Sequence, residues 1–298
     1  MINHLQNIFP SLISYDEKTS DMSDAYQWFV TDKEEVIGIK ENELTPKDVK
    51  LLTAFLSPYN SRLPVQTKTE KQWLEILYDP NCQPFISKKQ KPFRFVHFSI
   101  KKNQISAHAF KAAIHELFTA TVPILWENEH EGIIVEELTT SDERISYEQI
   151  IDILMSDLSG TIHFYVGPYL TDLQKIKDYY ATIILGAKSV FSYTDKSVVT
   201  YVEAAPYILI NQAENSFKDL LTATVLQEFA DEEDLLHTLY TFLRCNLNVT
   251  LTAKELYMHR NSLQYRLDKF YEQTGIEIRE FDQAITVYLA LLAKMHKE

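Results

Sequence analysis

The spacing of apolar positions changes along the chain, and each change predicts a different kind of element. In the first 80 residues, "YQWFV" (26–30) and "EVIGI" (35–39) place aromatic and β-branched residues on either side of the polar "TDKE", which predicts a β-hairpin. "LTPKDVKLLTAFL" (44–56) predicts a helix: Thr45 can cap it, Pro46 suits its first position, and Asp48 completes a capping box. "TEKQWLEILYDP" (69–80) predicts a further helix, stopped near Pro80. These elements make a small α+β N-terminal module over 1–85, too little material for a large sensor domain.

From Pro92 the pattern is more regular. "FRFVHFSI" (93–100) reads as a buried strand and "AFKAAIHELF" (109–118) as an amphipathic helix. "TVPILWE" and "HEGIIVEEL" pair as a hairpin around Asn128 and Glu129, followed by the helix "YEQIIDILMSDL" and the strand "TIHFYVG". The order βαββαβ is that of a ferredoxin-like split βαβ unit. "TDLQKIKDYYATIILGAKSVF" adds a helix with a Thr/Asp start and a core-forming aromatic stretch, and "SVVTYVE" adds a strand. This central domain spans 90–210, and 211–233 follows as a linker and helix, with "NQAENSFKD" the most linker-like stretch.

The remainder, 234–298, reads as helix only. In "EEDLLHTLYTFLRCN", Leu235, Leu236, Leu239, Tyr240, Phe242 and Leu243 form one apolar face. "TAKELYM" opens with a capping box, Thr252 to Glu255. The next helix starts at Asn261 as cap with Gln264 three residues on. It buries Leu263, Leu267, Phe270 and Tyr271 and ends at Thr274-Gly275. "EFDQAITVYLALLAKM" closes an all-α domain. The fold class is therefore α+β multidomain.

Composition narrows the function. The 298 residues carry a formal net charge of -13, which argues against a chain that coats nucleic acid indiscriminately. From Asp234 to Glu298, however, eight Lys/Arg balance eight Asp/Glu, so the surplus acid lies upstream and the C-terminal segment is a different kind of unit. The N-terminus lacks a basic region before its apolar residues, and the longest apolar run, Ala284 to Ala293, is far short of the roughly 20 residues a membrane span needs. A cytoplasmic protein without membrane contact is expected. Cys82 and Cys245 have no metal-ligand spacing and read as partly buried thiols.

"HRNSLQYRL" (259–267) sets a basic, amide-rich tip before a helical apolar spacing. Two short helices joined by "YMHR" form the pattern of a helix-turn-helix, in which the start of the second helix reaches base edges. Arg can pair with guanine O6 and N7, and Asn or Gln with adenine N6 and N7. Arg260, Asn261, Gln264 and Arg266 are the expected base contacts, and Ser262, Tyr265 and Lys254 the expected phosphate contacts. His259 is expected either to touch DNA or to seal the turn by hydrogen bonding. Thr250 to Ile276 holds four Lys/Arg against three Asp/Glu, a weak grip for one copy, so a homodimer or larger oligomer on double-stranded DNA is expected.

"TAKELYMHRNSLQYRLDKFYEQTGIEI" resembles the C-terminal helix-turn-helix of the PucR and CdaR family of bacterial transcription regulators. The matching positions are Thr252, Ala253, Leu256, His259, Asn261, Ser262 for the usual Thr, Tyr265, Arg266, Leu267, Thr274 and Gly275. "RNSLQYRL" is also similar to the recognition helix of Fis-like proteins, which often place Gly in the turn where this chain has Tyr257. A non-Gly residue there costs about 1 kcal/mol, and a Tyr is tolerable if its ring packs. The resemblance implies a degenerate GGDEF-like central domain and a small-metabolite effector. The hairpin "WENEHEGIIVEE" has no Gly-Gly pair and no recognisable Asp/Glu set for two metals, so cyclase activity is not expected.

Glu127, Glu129, His130 and Glu131 read as a solvated hairpin tip. His108 and His115 share a helix face but lack a third ligand at suitable spacing. No GxSxG, P-loop, HExxH or Rossmann fingerprint is present, so no catalytic residue, metal or cofactor is expected. The rival reading is a regulatory adaptor that uses the helix-turn-helix to bind protein.

Overall fold

The computed structural model describes residues 2–15, 25–31, 33, 35–60, 62–79, 91–118, 121–138, 146–158 and 160–295. Pro80 and Cys82 lie outside the described residues. The chain divides into two compact units, residues 1–93 with 98–163, and residues 94–97 with 164–298.

The first unit opens with α1 (Ile2–Ile8), β1 (Ile13–Ser14), β2 (Tyr26–Val30), β3 (Val36–Lys40), α2 (Pro46–Thr53), β4 (Ser57–Tyr59) and α3 (Lys68–Tyr78). The strands form an antiparallel sheet in the order β1-β3-β2-β4. The expected hairpin is present, with Val30 opposite Val36, and Thr31 Oγ1 closes its turn by accepting from the amides of Lys33 and Glu35. A Cβ on Gly38 would sit 2.8 Å from the Trp28 ring, which explains a glycine inside this strand. Phe9, Leu12, Phe29, Ile37, Ile39, Leu52 and Leu56 form the core of this sheet. The Thr45/Asp48 capping box stands as the sequence predicts, and Thr67 with Glu70 caps α3 in the same way.

β5 (Phe93–Ile100), α4 (Ala107–Leu117), β6 (Ile124–Asn128), β7 (Glu131–Glu137), α5 (Tyr147–Leu158), β8 (Ile162–Val166), α6 (Ile176–Val190) and β9 (Val198–Thr200) follow. The βαββαβ order is the expected one. The sheet runs β6-β7-β5-β8-β9, with the first strand between the third and the fourth as a split βαβ unit requires, and β9 runs parallel to β8. The only glycine of the β6–β7 hairpin, Gly132, serves packing: a Cβ there would lie 2.4 Å from the Leu125 carbonyl oxygen and 2.8 Å from the Phe98 ring. The hairpin tip is not simply solvated, because Glu129 accepts from Asn60 (3.3 Å) and pairs with Arg62 (3.4 Å).

A buried ion pair ties α3 to α4 and β6. Glu70, 1% exposed, accepts from Lys111 Nζ at 3.0 and 3.1 Å, from the Ile124 amide at 3.0 Å and from the Thr67 amide at 2.7 Å. Lys111 Nζ also donates to the Val65 carbonyl. Each group is satisfied several times over, which is the condition under which a buried pair is tolerated.

In the second unit the structure corrects the sequence reading. Thr171 and Asp172 do not start α6: Asp172 accepts from the Gln174 amide in a turn, and the helix begins at Ile176. The strand expected over "SVVTYVE" stops at Thr200, which caps α7 (Tyr201–Gln212) through a capping box with Glu203. α8 (Asn215–Val225) begins three residues after α7 ends, so the stretch expected as a linker is mostly helix. The sequence carried this signal, Thr-x-x-Glu, but the β-branched run ahead of it obscured it. α9 (Glu233–Arg244), α10 (Val249–Glu255), α11 (Arg260–Thr274) and α12 (Phe281–Met295) complete the chain. Among the described residues, no helix is long and apolar enough to cross a membrane.

Two outcomes test these attachments. Glu70→Ala strands Lys111 and two amides, so urea unfolding followed through Trp73 fluorescence should show a loss of about 3–5 kcal/mol. Burial works against the Glu203 carboxylate, but Lys196 at 2.7 Å and the hydroxyl and amide of Thr200 more than offset it and hold its pKa at about 2. A folded pKa below the ordinary 4.5 stabilises above that value and loses its contribution as pH falls toward 2. Glu203→Gln should therefore flatten the acid limb of stability over that window, read by thermal melts at stepped pH.

Candidate nucleic-acid interface

The C-terminal helices are fixed by one apolar core. Leu235, Leu239 and Phe242 of α9, Ala253 of α10, Leu263, Leu267 and Phe270 of α11, and Val287, Ala290 and Leu291 of α12 are all buried in it. Phe229 and Phe270 meet at 5.7 Å between ring centroids. Because Leu263, Leu267 and Phe270 recur at four and three residues, they anchor one face of α11 and determine which residues face out. Tyr271, expected in this core, is 48% exposed, since it falls beside the stripe rather than on it.

Two caps differ from the sequence reading. α10 begins earlier than expected: Asn248 accepts from the Leu251 amide, and Thr252 is a fully buried interior residue whose hydroxyl donates to the Asn248 carbonyl. The predicted Thr252–Glu255 box does not form, because the helix has already started when the chain reaches Thr252. At α11 the cap is His259, whose Nδ1 accepts from the Asn261 amide at 3.2 Å. Asn261 is thereby inside the helix, with its side chain exposed. An accepting Nδ1 places the neutral ring's proton on Nε2.

α10 ends in a Schellman motif: the Met258 amide donates to Ala253 and the Tyr257 amide to Lys254. Tyr257 takes the left-handed position with φ 50°, as the turn requires. Its ring does not pack, being 99% exposed, so a residue whose backbone costs about 1 kcal/mol here holds a free aromatic ring beside the tip. The sequence located this turn; the exposure of its side chain was not legible there. Gly275, φ 72°, closes α11 as expected.

Around α11, Asn261 and Tyr265 lie opposite the buried stripe, with Tyr265 71% exposed. Arg260 and Ser262 are exposed, Gln264 half-buried, and Lys254 on α10 exposed. One turn further, the same outward face carries Asp268 and Glu272, and Asp268 pairs with Arg279 at 2.7 Å. Among the described residues, therefore, the first two turns of the helix present a cation without an ion pair, and amides, to an anionic partner.

Arg266 is placed differently. Its Nη1 donates to Thr238 Oγ1 at 2.7 Å and to the Asp234 carbonyl at 3.4 Å, which draws the guanidinium toward α9. Lys269 leans the same way, 3.8 Å from Glu232. Ser262, Tyr265 and Arg266 line a pocket of about 580 Å³ with Glu232 and Asp234. The structure thus groups Arg260, Asn261, Gln264, Tyr265 and His259 at the tip and turns Arg266 toward the body of the domain.

Comparison with known proteins agrees with this geometry. Residues 235–293 match the PucR C-terminal helix-turn-helix domain. The chain is 30% identical to the uncharacterized protein YxkF of Bacillus subtilis over 279 residues, covering 91% of this chain and 92% of that one. It is 40% identical over 57 residues to the carbohydrate diacid regulator of Escherichia coli, 19% of this chain and 15% of that one. It is 38% identical over 61 residues to the purine catabolism regulatory protein of Bacillus subtilis, 20% and 12%. With the helix-turn-helix in place and these relatives beside it, the chain belongs to the PucR/CdaR family of bacterial transcription regulators.

Proposed function

We propose that this protein is a sequence-specific DNA-binding transcription regulator whose α11 tip enters a major groove. The observation that carries the reading is the exposed N-terminus of α11, with Arg260, Asn261 and Tyr265 held outward by the buried Leu263/Leu267/Phe270 stripe. Relatives named as a carbohydrate diacid regulator, a purine catabolism regulatory protein and a proline-responsive transcriptional activator support it.

In this reading Arg260 pairs with a guanine, and Asn261 and Gln264 read adenine. Ser262, Tyr265, Lys254 and the Nε2–H of His259 contact phosphate. Arg266 is assigned a positioning role, because its guanidinium is engaged by Thr238. The helix-turn-helix binds as a homodimer on two half-sites, which supplies the grip that a single near-neutral copy lacks. The central sheet is a degenerate GGDEF-like regulatory domain without enzymatic activity, responding to a small metabolite, and the protein acts in the cytoplasm.

The test is selection of fragmented genomic DNA on the purified protein at near-physiological salt, followed by binding curves on the enriched site. Arg260→Ala and Asn261→Ala should each weaken binding by about 1–3 kcal/mol, roughly tenfold to hundredfold, with an unchanged melting temperature. Arg266→Ala should lower the melting temperature as well as affinity. The adaptor reading predicts that no site is enriched and that Arg260→Ala changes nothing on DNA.

A further inference from the structure

A second pocket, of about 470 Å³, lies within the second unit between α7, the end of α9 and one face of α12. Its walls are apolar. Val202 and Pro206 stand on one side, and Phe281 and Ile285 at helical spacing on the other. Val202 is 81% and Phe281 71% exposed, an unusual state for large apolar side chains facing one concavity. The volume is in the ordinary range for small-molecule sites.

The polar end is built around Arg244. It is exposed, and Tyr288 lines the pocket with it. The Tyr288 ring stacks on that of Tyr240, 6.2 Å between centroids. Among the described residues no carboxylate is paired with Arg244. The one acid lining the pocket, Glu203, is held by Lys196 at 2.7 Å and by the Thr200 amide and hydroxyl. A guanidinium with open donors at the end of an apolar slot suits a carboxylate carrying an apolar body.

We propose that this pocket binds a small apolar monocarboxylate, with Arg244 and Tyr288 holding the carboxylate and Val202, Pro206, Phe281 and Ile285 covering the body. The site reaches the DNA-binding apparatus through its floor. Asn246 and Leu247 line it, both in left-handed conformation, with φ 54° and 59°, and the next residue, Asn248, caps α10. Occupancy therefore bears on the first helix of the helix-turn-helix. This regulatory step, unlike the binding itself, rests on the DNA-binding reading above.

The experiment titrates the full chain with phenylacetate and with its neutral amide, phenylacetamide, by calorimetry and thermal shift, without DNA. Saturable one-to-one binding of the acid is expected, with the amide weaker by roughly tenfold or more, the loss of a charge-assisted pair. Arg244→Gln should abolish that preference. Val202→Glu, at an exposed position where folding is not at stake, should weaken the acid and spare the amide. Absence of saturable binding, equal binding of acid and amide, or an undiminished preference in Arg244→Gln overturns the site. A final arm measures affinity for the selected DNA site with and without phenylacetate. A shift in wild type that is absent in Arg244→Gln supports the regulatory step, and no shift overturns that step while leaving the ligand site standing.

Discussion

The C-terminal domain depends on the burial of Leu263, Leu267 and Phe270. With these side chains fully removed from water, α11 has one permitted rotation about its axis, and the direction of every other residue on it follows. Asn261 and Tyr265 face out because they are half a turn from the buried stripe. Arg260 and Gln264 lie on one flank, and Ser262, Arg266 and Lys269 on the other, against α9. A DNA-reading surface of this kind needs no dedicated scaffold. It is the solvent side of a well-packed core helix whose first residues happen to be cationic and amide-bearing.

Much of this was legible in the sequence. The helical spacing and the terminal Gly275 were found from local rules, and the turn position at Tyr257 from the likeness to Fis-like recognition helices; all are determined by local physics. Helix starts were harder. Thr252 and Asn261 both satisfy the capping pattern, yet Asn248 and His259 win, because the chain enters each helix where the tertiary core needs it rather than at the first good cap. The orientation of Arg266 was illegible for a related reason. Its partner, Thr238, lies 28 positions upstream, and no local pattern reveals that pairing.

The same division holds upstream. Every strand and helix of the βαββαβ run stands where periodicity put it, and the sheet order follows from that connectivity. The pairing of Glu70 with Lys111, 41 residues apart, did not, although both residues sit in helices that were correctly expected. α7 was hidden because "SVVTYVEAAPYILI" is apolar and β-branched at its start, and only the Thr200/Glu203 box and the packing of Tyr207 and Ile210 make it a helix. That missed helix forms a wall of the Arg244 pocket, so the pocket could not have been foreseen.

The central claim, that the α11 tip reads base edges, is tested most directly by pairing an altered base with an altered side chain. On the selected site, each guanine of a half-site is replaced in turn by 7-deazaguanine, which removes the N7 acceptor and leaves base pairing intact, and binding is measured for wild type and Arg260→Ala. The account predicts one position per half-site where wild type loses roughly tenfold or more while Arg260→Ala is indifferent. Equal losses for both proteins at every position would contradict it, and would mean that Arg260 does not read guanine.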